Sequence, residues 1–123
     1  MNMASVLIAD DDSGFLVSLS IALRREGYEV WAAENSEEAL NLLDAHSFDF
    51  MMIDIRLGPL LGVELAEWAL LRKPQLPVIF MSAYPYGELE GRMRRVTPLP
   101  VLEKPFDVGQ VNTVMTNPVE SRH

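Results

Sequence analysis

Five polar side chains of this sequence could do chemistry together, and each follows a short apolar segment. They are Asp10, Asp11, Asp54, Ser82 and Lys104. Carboxylates held close together repel one another unless a divalent cation neutralises them or some become protonated, and all-oxygen ligands favour a hard ion such as Mg²⁺. A carboxylate beside such an ion, with an ammonium and a hydroxyl opposite, suits in-line transfer of a phosphoryl group onto that carboxylate.

Asp54 is the candidate nucleophile, with Lys104 and Ser82 holding the phosphoryl oxygens. The apolar run 50–53 is typical of a strand buried on both faces of a parallel sheet, and Asp54 follows it directly. A turn rich in glycine and proline comes next, at 57–62. Asp54 is therefore expected at the open rim of a sheet, where ligands bind.

The segments that position these residues alternate between strand and helix patterns. Strands are predicted at 5–9, 28–33, 50–54, 78–81 and 101–103. Helices are predicted from residue 13 to a stop at Gly27, from the capping residue Asn35 through Leu43, and at 63–72, 87–95 and 107–115. The pattern at 87–95 is the weakest of these, because glycines at 87 and 91 lower its helix propensity.

Strands that alternate with helices in so short a chain imply right-handed crossovers, with helices on both faces of one sheet. The predicted fold class is α/β: a three-layer, doubly wound, five-stranded parallel sheet in the flavodoxin-like order 2-1-3-4-5. In that order the functional crevice lies at the carboxyl ends of strands one and three. Asp10, Asp11 and Asp54 are expected to meet there, with Ser82 and Lys104 on the same rim.

Composition limits the classes of function. The 123 residues, 49% hydrophobic, are expected to form one domain at 1–116, followed by a polar tail at 117–123. The absence of cysteine excludes disulfides and thiolate metal sites and favours a cytoplasmic location. No apolar run approaches the roughly 20 residues of a membrane span. A net charge of −8 disfavours direct binding of nucleic acid.

These residues together resemble the receiver domain of response regulators in two-component signalling. The resemblance covers nearly the whole chain, from Val-Leu-Ile-Ala-Asp-Asp-Asp at 6–12, through Asp54, to Lys-Pro-Phe at 104–106. It implies that Asp54 is the phosphoryl acceptor. It also implies that Asp10, Asp11 and Asp54, with the backbone carbonyl of Arg56, hold Mg²⁺.

The resemblance further implies a switch and its partners. Ser82 would be the switch hydroxyl with the amide of Ala83 beside it, Lys104 would contact the phosphate, and the Lys104–Pro105 peptide would be cis. The donor would be a phosphohistidine on a sensor kinase or phosphotransfer protein, and the acyl phosphate would later hydrolyse. Such a domain is regulatory rather than an enzyme, and it controls an output domain or effector protein. The oligomeric state stays open, with a phosphorylation-dependent dimer as one candidate.

Several positions depart from the family pattern. Val101 stands where receivers usually have an aromatic residue that reorients with the switch hydroxyl. The loop after Asp54 is unusually apolar, which suits a docking surface. Arg56 and Tyr84 occupy the positions that flank the phosphoryl group in receivers, where bulky side chains are expected to hinder attack by water. Phe15 is either an anchor for a kinase or part of the core stripe of its helix.

Other interpretations stay open. Taken one at a time, Asp10 and Ser82 are typical of helix or turn caps, and Lys104 of a solvated surface amine. A degenerate receiver that binds proteins without phosphorylation would fit Val101. A phosphatase with an aspartyl nucleophile usually has a second acid two residues on, where this chain has Arg56. A flavin-binding module shares the fold, but no loop rich in glycine, serine or threonine follows the first strand to bind its phosphate.

Overall fold

The computed structural model describes residues 4–116, and strands and helices alternate along them. The strands are β1 (Ser5–Ala9), β2 (Glu29–Ala33), β3 (Phe50–Asp54), β4 (Arg56–Leu57), β5 (Leu60–Leu61), β6 (Val78–Ser82) and β7 (Leu102–Glu103). The α-helices are α1 (Ser13–Arg25), α2 (Ser36–Ala45), α3 (Gly62–Arg72), α4 (Glu90–Val96) and α5 (Val108–Thr116). One turn of 3₁₀ helix, Gly87–Leu89, precedes α4.

Five of these strands form one parallel sheet in the order β2-β1-β3-β6-β7. Counted within that sheet alone, the order is 2-1-3-4-5, which confirms the predicted fold class. The register aligns Ala9 of β1 with Ile53 of β3, and Ser82 of β6 with Glu103 of β7. The carboxyl ends of four strands therefore share one rim, and the residues predicted to do chemistry either end these strands or follow them.

The central strands are buried on both faces, which explains their uninterrupted apolar sequences. Alternate residues of a strand face opposite sides. Met51 and Phe80 pack in the layer that contains α2, α3 and α4, whereas Met52 and Ile79 pack in the layer that contains α1 and α5. All four side chains are at most 1% exposed. A sheet packed between two apolar layers is a firm support for side chains at its rim.

Helix α1 begins beside the site because Asp12 caps it. Asp12 Oδ1 accepts a hydrogen bond from the backbone N–H of Phe15 at 3.1 Å, and so satisfies one of the free donors of the first turn. The backbone N–H of Asp12 in turn donates to Asp10 Oδ1 at 2.9 Å. The cap leaves Asp10 and Asp11 outside the helix, at the end of β1.

Helix α2 begins at the predicted capping residue. Asn35 Oδ1 accepts from the backbone N–H of Glu38 at 2.9 Å. The Glu38 carboxylate accepts from the N–H of Glu34, at 2.8 Å, rather than from that of Asn35, so the second half of the predicted capping box lies one residue earlier.

The loop after β3 differs from the prediction. Strands β4 and β5 pair antiparallel, with Arg56 opposite Leu61, and they form a short hairpin that the sequence patterns did not indicate. Gly58 at its tip has a φ of 65°, a left-handed conformation that costs glycine little. Strands of two residues are too short to show an alternating pattern in the sequence.

Two smaller differences concern the carboxyl-terminal half. The helix predicted at 87–95 is a 3₁₀ turn followed by α4, and the strand predicted from Val101 begins at Leu102. The polar tail predicted at 117–123 lies outside the described residues. Between residues 4 and 116, none of the helices combines the length and the apolar character needed to cross a bilayer.

Candidate functional site

Lys104 lies between the carboxylates of Asp10 and Asp54 at the rim of the sheet. Its Nζ donates to Asp10 Oδ2 at 2.7 Å and to Asp54 Oδ2 at 2.6 Å. The Asp10 side chain is fully buried, and those of Lys104 and Asp54 are 13% and 12% exposed. The ends of β1 and β3 and the residue after β7 thus deliver two acids and one amine to a single point.

Burial and charge shift the pKa values of this group. Burial raises the pKa of Asp10 to about 6, although the hydrogen bonds from Lys104 and from the Asp12 amide act in the opposite direction. Burial lowers the pKa of Lys104, but its hydrogen bonds and charge interactions with Asp10 and Asp54 outweigh that effect, so the net shift is upward. At neutral pH the amine is therefore charged, and Asp10 is ionised at a cost in free energy.

The backbone around Asp54 is tightly packed. Asp54 Oδ1 accepts from the N–H of Arg56 at 2.8 Å, which orients the carboxylate from the side opposite the amine bond. Gly62, the first residue of α3, lies so close beneath that a Cβ atom there would collide with the carbonyl oxygen of Asp54. Gly62 was not predicted to belong to the site, and a glycine at the start of an otherwise regular helix was the only signal for it.

Asp11 is placed differently from its two predicted partners. Its Oδ2 accepts from the backbone N–H of Gly58, at 2.8 Å, across to the β4–β5 hairpin. In the part of the chain that the structure describes, no three acidic or histidine side chains are grouped closely enough to hold a metal ion. The rim brings Asp10 and Asp54 to the same amine, and ties Asp11 to the hairpin instead.

The donor chemistry of this rim nevertheless fits a hard divalent ion. Asp11, Asp54 and Arg56 line one cleft of about 410 Å³. Carboxylate and backbone carbonyl oxygens, which these residues carry, are ligands of the kind that Mg²⁺ prefers. The buried carboxylate of Asp10 lies behind it, at the same amine as Asp54. If a cation replaced the Gly58 N–H as the partner of Asp11 Oδ2, Asp11 could become a ligand of that cation.

Ser82 and Tyr84 form the opposite wall of the cleft. Ser82 Oγ donates to the carbonyl of Tyr84 and accepts from the Tyr84 N–H at 3.1 Å, which closes a tight turn around Ala83. The backbone N–H of Lys104 donates to the carbonyl of Ser82 at 2.8 Å. This bond fixes the backbone position from which the Lys104 side chain extends to the rim. The guanidinium carbon of Arg56 lies 5.9 Å from the centroid of the Tyr84 ring, so these two side chains lie against each other at the cleft that both line.

Phe15 was predicted to be either an exposed anchor for a kinase or part of the core, and its position in the structure lies between the two. Its side chain is half-buried, and its ring centroid lies 4.0 Å from Lys104 Nζ. Phe106 packs edge-on against it, with ring centroids 5.8 Å apart. The Lys104–Pro105 peptide, which connects the amine to Phe106, is cis, as the resemblance implies. The contact between Phe15 and Lys104 was missed, because nothing local in either segment signals it.

Comparison with known proteins gives a consistent family. The model for the response regulator receiver domain matches residues 6–116. The chain is 30% identical over 125 residues to response regulator protein PilR of Pseudomonas aeruginosa, an alignment that covers all of this chain and 28% of PilR. The chain thus spans little more than a quarter of the length of that relative.

Solved structures agree in fold. A CheY-like receiver domain protein of Methanospirillum hungatei superposes with a TM-score of 0.88 at 26% identity, over 98% of this chain and 96% of that one. A response regulator of Burkholderia pseudomallei, solved with a phosphorylated aspartic acid, a calcium ion and citrate, gives 0.87 at 28% identity, over 97% and 71%. TrrA of Thermotoga maritima, solved in complex with Mg²⁺ and BeF, gives 0.82 at 25% identity, over 94% and 98%.

Proposed function

Because this chain belongs to the response regulator receiver domain family of two-component signalling, we propose that it accepts a phosphoryl group on Asp54 and that occupancy of this carboxylate controls a partner. The observation that carries the proposal is the 2.6 Å contact between Asp54 Oδ2 and Lys104 Nζ at the edge of an open cleft. A carboxylate nucleophile and the ammonium that would hold the incoming oxygens already lie side by side. The proposed unit comprises residues 1–116 and acts in the cytoplasm.

The proposed transfer takes the phosphoryl group from a phosphohistidine of a sensor kinase or phosphotransfer protein. A bond forms between phosphorus and an Asp54 carboxylate oxygen, and the phosphorus–nitrogen bond of the donor breaks. The electron pair of that bond stays on the imidazole, and Asp54 becomes an acyl phosphate. The reaction needs positioning and charge neutralisation more than covalent assistance from the protein.

The chain's own residues divide the work of holding the phosphoryl oxygens. The Lys104 ammonium moves from a carboxylate oxygen to a phosphoryl oxygen, a short displacement from its present place. Ser82 turns its hydroxyl from the Tyr84 carbonyl towards a second oxygen, and the Ala83 amide faces the same group. Asp10, Asp11, Asp54 and the carbonyl of Arg56 would hold Mg²⁺, which would supply positive charge to neutralise the phosphoryl oxygens.

A second candidate is a degenerate receiver that binds a protein partner without phosphorylation. Two observations favour it. Asp11 is bonded to Gly58 rather than grouped with the other acids, and Val101 is a half-buried aliphatic residue packed in the core beside α4, where the family pattern has an aromatic switch. In this alternative the hairpin and its surroundings would present to the partner a surface that does not change with phosphorylation.

Intact mass distinguishes the two candidates. The chain is incubated with acetyl phosphate or with a phosphorylated histidine phosphotransfer domain, each with Mg²⁺ and with a chelator. The expected result is a gain of one phosphoryl group that requires Mg²⁺, is abolished in Asp54→Asn, and persists in Asp44→Asn, a matched change at an exposed acid far from the rim. If neither donor modifies the chain and Mg²⁺ does not raise its melting temperature, the interaction module becomes the better account.

A further inference from the structure

An aromatic ring covers one side of the amine that the proposed transfer depends on. The centroid of the Phe15 ring lies 4.0 Å from Lys104 Nζ. The face of an aromatic ring attracts an ammonium through its quadrupole, and most strongly where water is excluded. Because the Lys104 side chain is only 13% exposed, this contact forms largely out of water.

The acids of the site fix the backbone that carries this ring. Asp10 Oδ1 accepts from the N–H of Asp12 at 2.9 Å, and Asp12 Oδ1 accepts from the N–H of Phe15 at 3.1 Å. The other oxygen of Asp10 accepts from Lys104 Nζ at 2.7 Å. The two oxygens of the buried Asp10 carboxylate therefore connect to both partners. One oxygen is linked to the backbone of Phe15 through Asp12, and the other accepts a hydrogen bond from the Lys104 amine.

Neighbouring side chains hold the ring in place. Phe106 packs against Phe15 with an interplanar angle of 72°, an edge-to-face geometry that aromatic pairs favour. Both rings pack against the apolar layer that contains α1 and α5. Phe15 is thus positioned by its backbone, by a second ring and by the core.

We infer that Phe15 is a positioning residue for phosphoryl transfer, which acts by holding the Lys104 ammonium at the rim. An ammonium has three N–H donors, and Asp10 and Asp54 accept two of them. The ring face occupies the remaining side, where water would otherwise draw the flexible lysine away from Asp54. This inference rests on the proposed transfer to Asp54 and adds a residue to its machinery.

The test compares substitutions that separate the ring face from its bulk. Phe15→Leu keeps an apolar side chain but removes the ring, whereas Phe15→Tyr keeps the ring. Phe48→Leu is the matched control, because Phe48 is also half-buried and packs against another aromatic residue, Trp31, before the opposite end of β3. Acetyl phosphate is the donor, so that any effect on kinase docking is removed from the measurement.

The expected result is a rate of phosphorylation about fivefold lower in Phe15→Leu, the order of effect that loss of one partly desolvated cation–π contact produces. Phe15→Tyr and Phe48→Leu should phosphorylate at the rate of the unsubstituted chain, and the melting temperature of Phe15→Leu should stay close to that of Phe48→Leu. If Phe15→Leu does not fold, Phe15→Met takes its place.

A second readout follows the contact itself. The ring current of Phe15 should shift the proton resonances of the Lys104 ε-methylene upfield, and this shift should persist in Phe15→Tyr and disappear in Phe15→Leu. It requires no phosphorylation, so it separates the geometry from the reaction.

Each contrary outcome identifies what fails. If the unsubstituted chain is phosphorylated and Phe15→Leu keeps the same rate, or if Phe15→Tyr is as slow as Phe15→Leu, the role of the ring face is overturned while the proposed function stands. If the unsubstituted chain is no better an acceptor than Asp54→Asn, the proposed function fails, and the role of Phe15 with it. An absent ring-current shift overturns the contact whatever the rates are.

Discussion

Asp10 is a fully buried carboxylate in a chain whose net charge is −8. Burial raises its pKa from 3.8 to about 6. A group whose pKa is raised by folding contributes stability below its unfolded pKa, and that contribution is lost as the pH rises through the folded value. In the absence of a cation, ionised Asp10 therefore destabilises the fold at pH 7.

Asp10→Asn should consequently increase the free energy of unfolding at pH 7 by about 3 kcal/mol in the presence of a chelator, because the amide keeps the shape without the buried charge. The gain should shrink as the pH falls from 7 towards 5, where Asp10 takes up its proton. Urea unfolding at several pH values measures both effects. Mg²⁺ should stabilise the unsubstituted chain more than the variant. A variant that is less stable at pH 7 would show that the Lys104 bond outweighs the cost of burial.

Arg56 and Tyr84 are expected to control how long the acyl phosphate lasts. Both side chains line the cleft beside Asp54, with the guanidinium carbon 5.9 Å from the ring centroid. Together they are expected to restrict the approach of water to a phosphoryl group on Asp54. Arg56→Ala and Tyr84→Ala should each speed loss of the phosphoryl group by roughly threefold to tenfold. The double variant should show less than the product of the two effects, because the side chains contact each other.

Decay of the phosphorylated chain after removal of the donor, followed by intact mass, measures this lifetime. Arg94→Ala is the matched control, since Arg94 lies on α4 and pairs with Glu90 of the same helix. Lifetimes that are the same in all variants would mean that these two side chains do not limit attack by water.

At the scale of elements, the β4–β5 hairpin is tied to the site at both ends. The N–H of Arg56 donates to Asp54, the N–H of Gly58 donates to Asp11, and Gly62 lies against the backbone of Asp54. Any change in the coordination of Asp11 or in the charge of Asp54 therefore acts on the backbone hydrogen bonds of this hairpin. With Val101 in place of an aromatic switch, the hairpin is the element most directly connected to both acids.

The close approach at Gly62 makes a strong prediction. Gly62→Ala should lower the free energy of unfolding by at least about 2 kcal/mol, because the new methyl group collides with the carbonyl of Asp54 and the packed backbone cannot move freely. Gly91→Ala is the matched control: an added Cβ there meets nothing within 4 Å, and alanine favours the helix, so a gain of about 0.5–1 kcal/mol is expected. Thermal and urea unfolding of both variants provide the measurement. Equal effects of the two changes would contradict the structural reason.

Most elements could be predicted because each depends on a local pattern. Uninterrupted apolar runs indicated strands buried on both faces, and Asn35 and Gly27 marked helix ends through their own chemistry. The hairpin could not be predicted, because its pairing depends on a turn fitted between β3 and α3 rather than on periodicity.

Across the whole molecule, the sequence alone determined the architecture and the chemistry available to it. Alternating strands and helices with right-handed crossovers allow few arrangements, and the residue that ends each strand must then lie on one rim. Asp10, Asp54, Ser82 and Lys104 could therefore be assigned to the same edge without knowledge of any contact.

Only the tertiary structure decided which of these groups touch. In that structure Lys104 donates to both Asp10 and Asp54, and Asp11 accepts from the Gly58 amide. The ring of Phe15 contacts the Lys104 amine. These contacts join segments far apart in the chain, and each depends on a loop conformation and a side-chain rotamer that the packing of neighbouring segments selects. Periodicity in the sequence specifies which edge of the sheet a residue reaches. Which groups at that edge form hydrogen bonds depends on differences in position of a few ångströms, and no local sequence pattern encodes these.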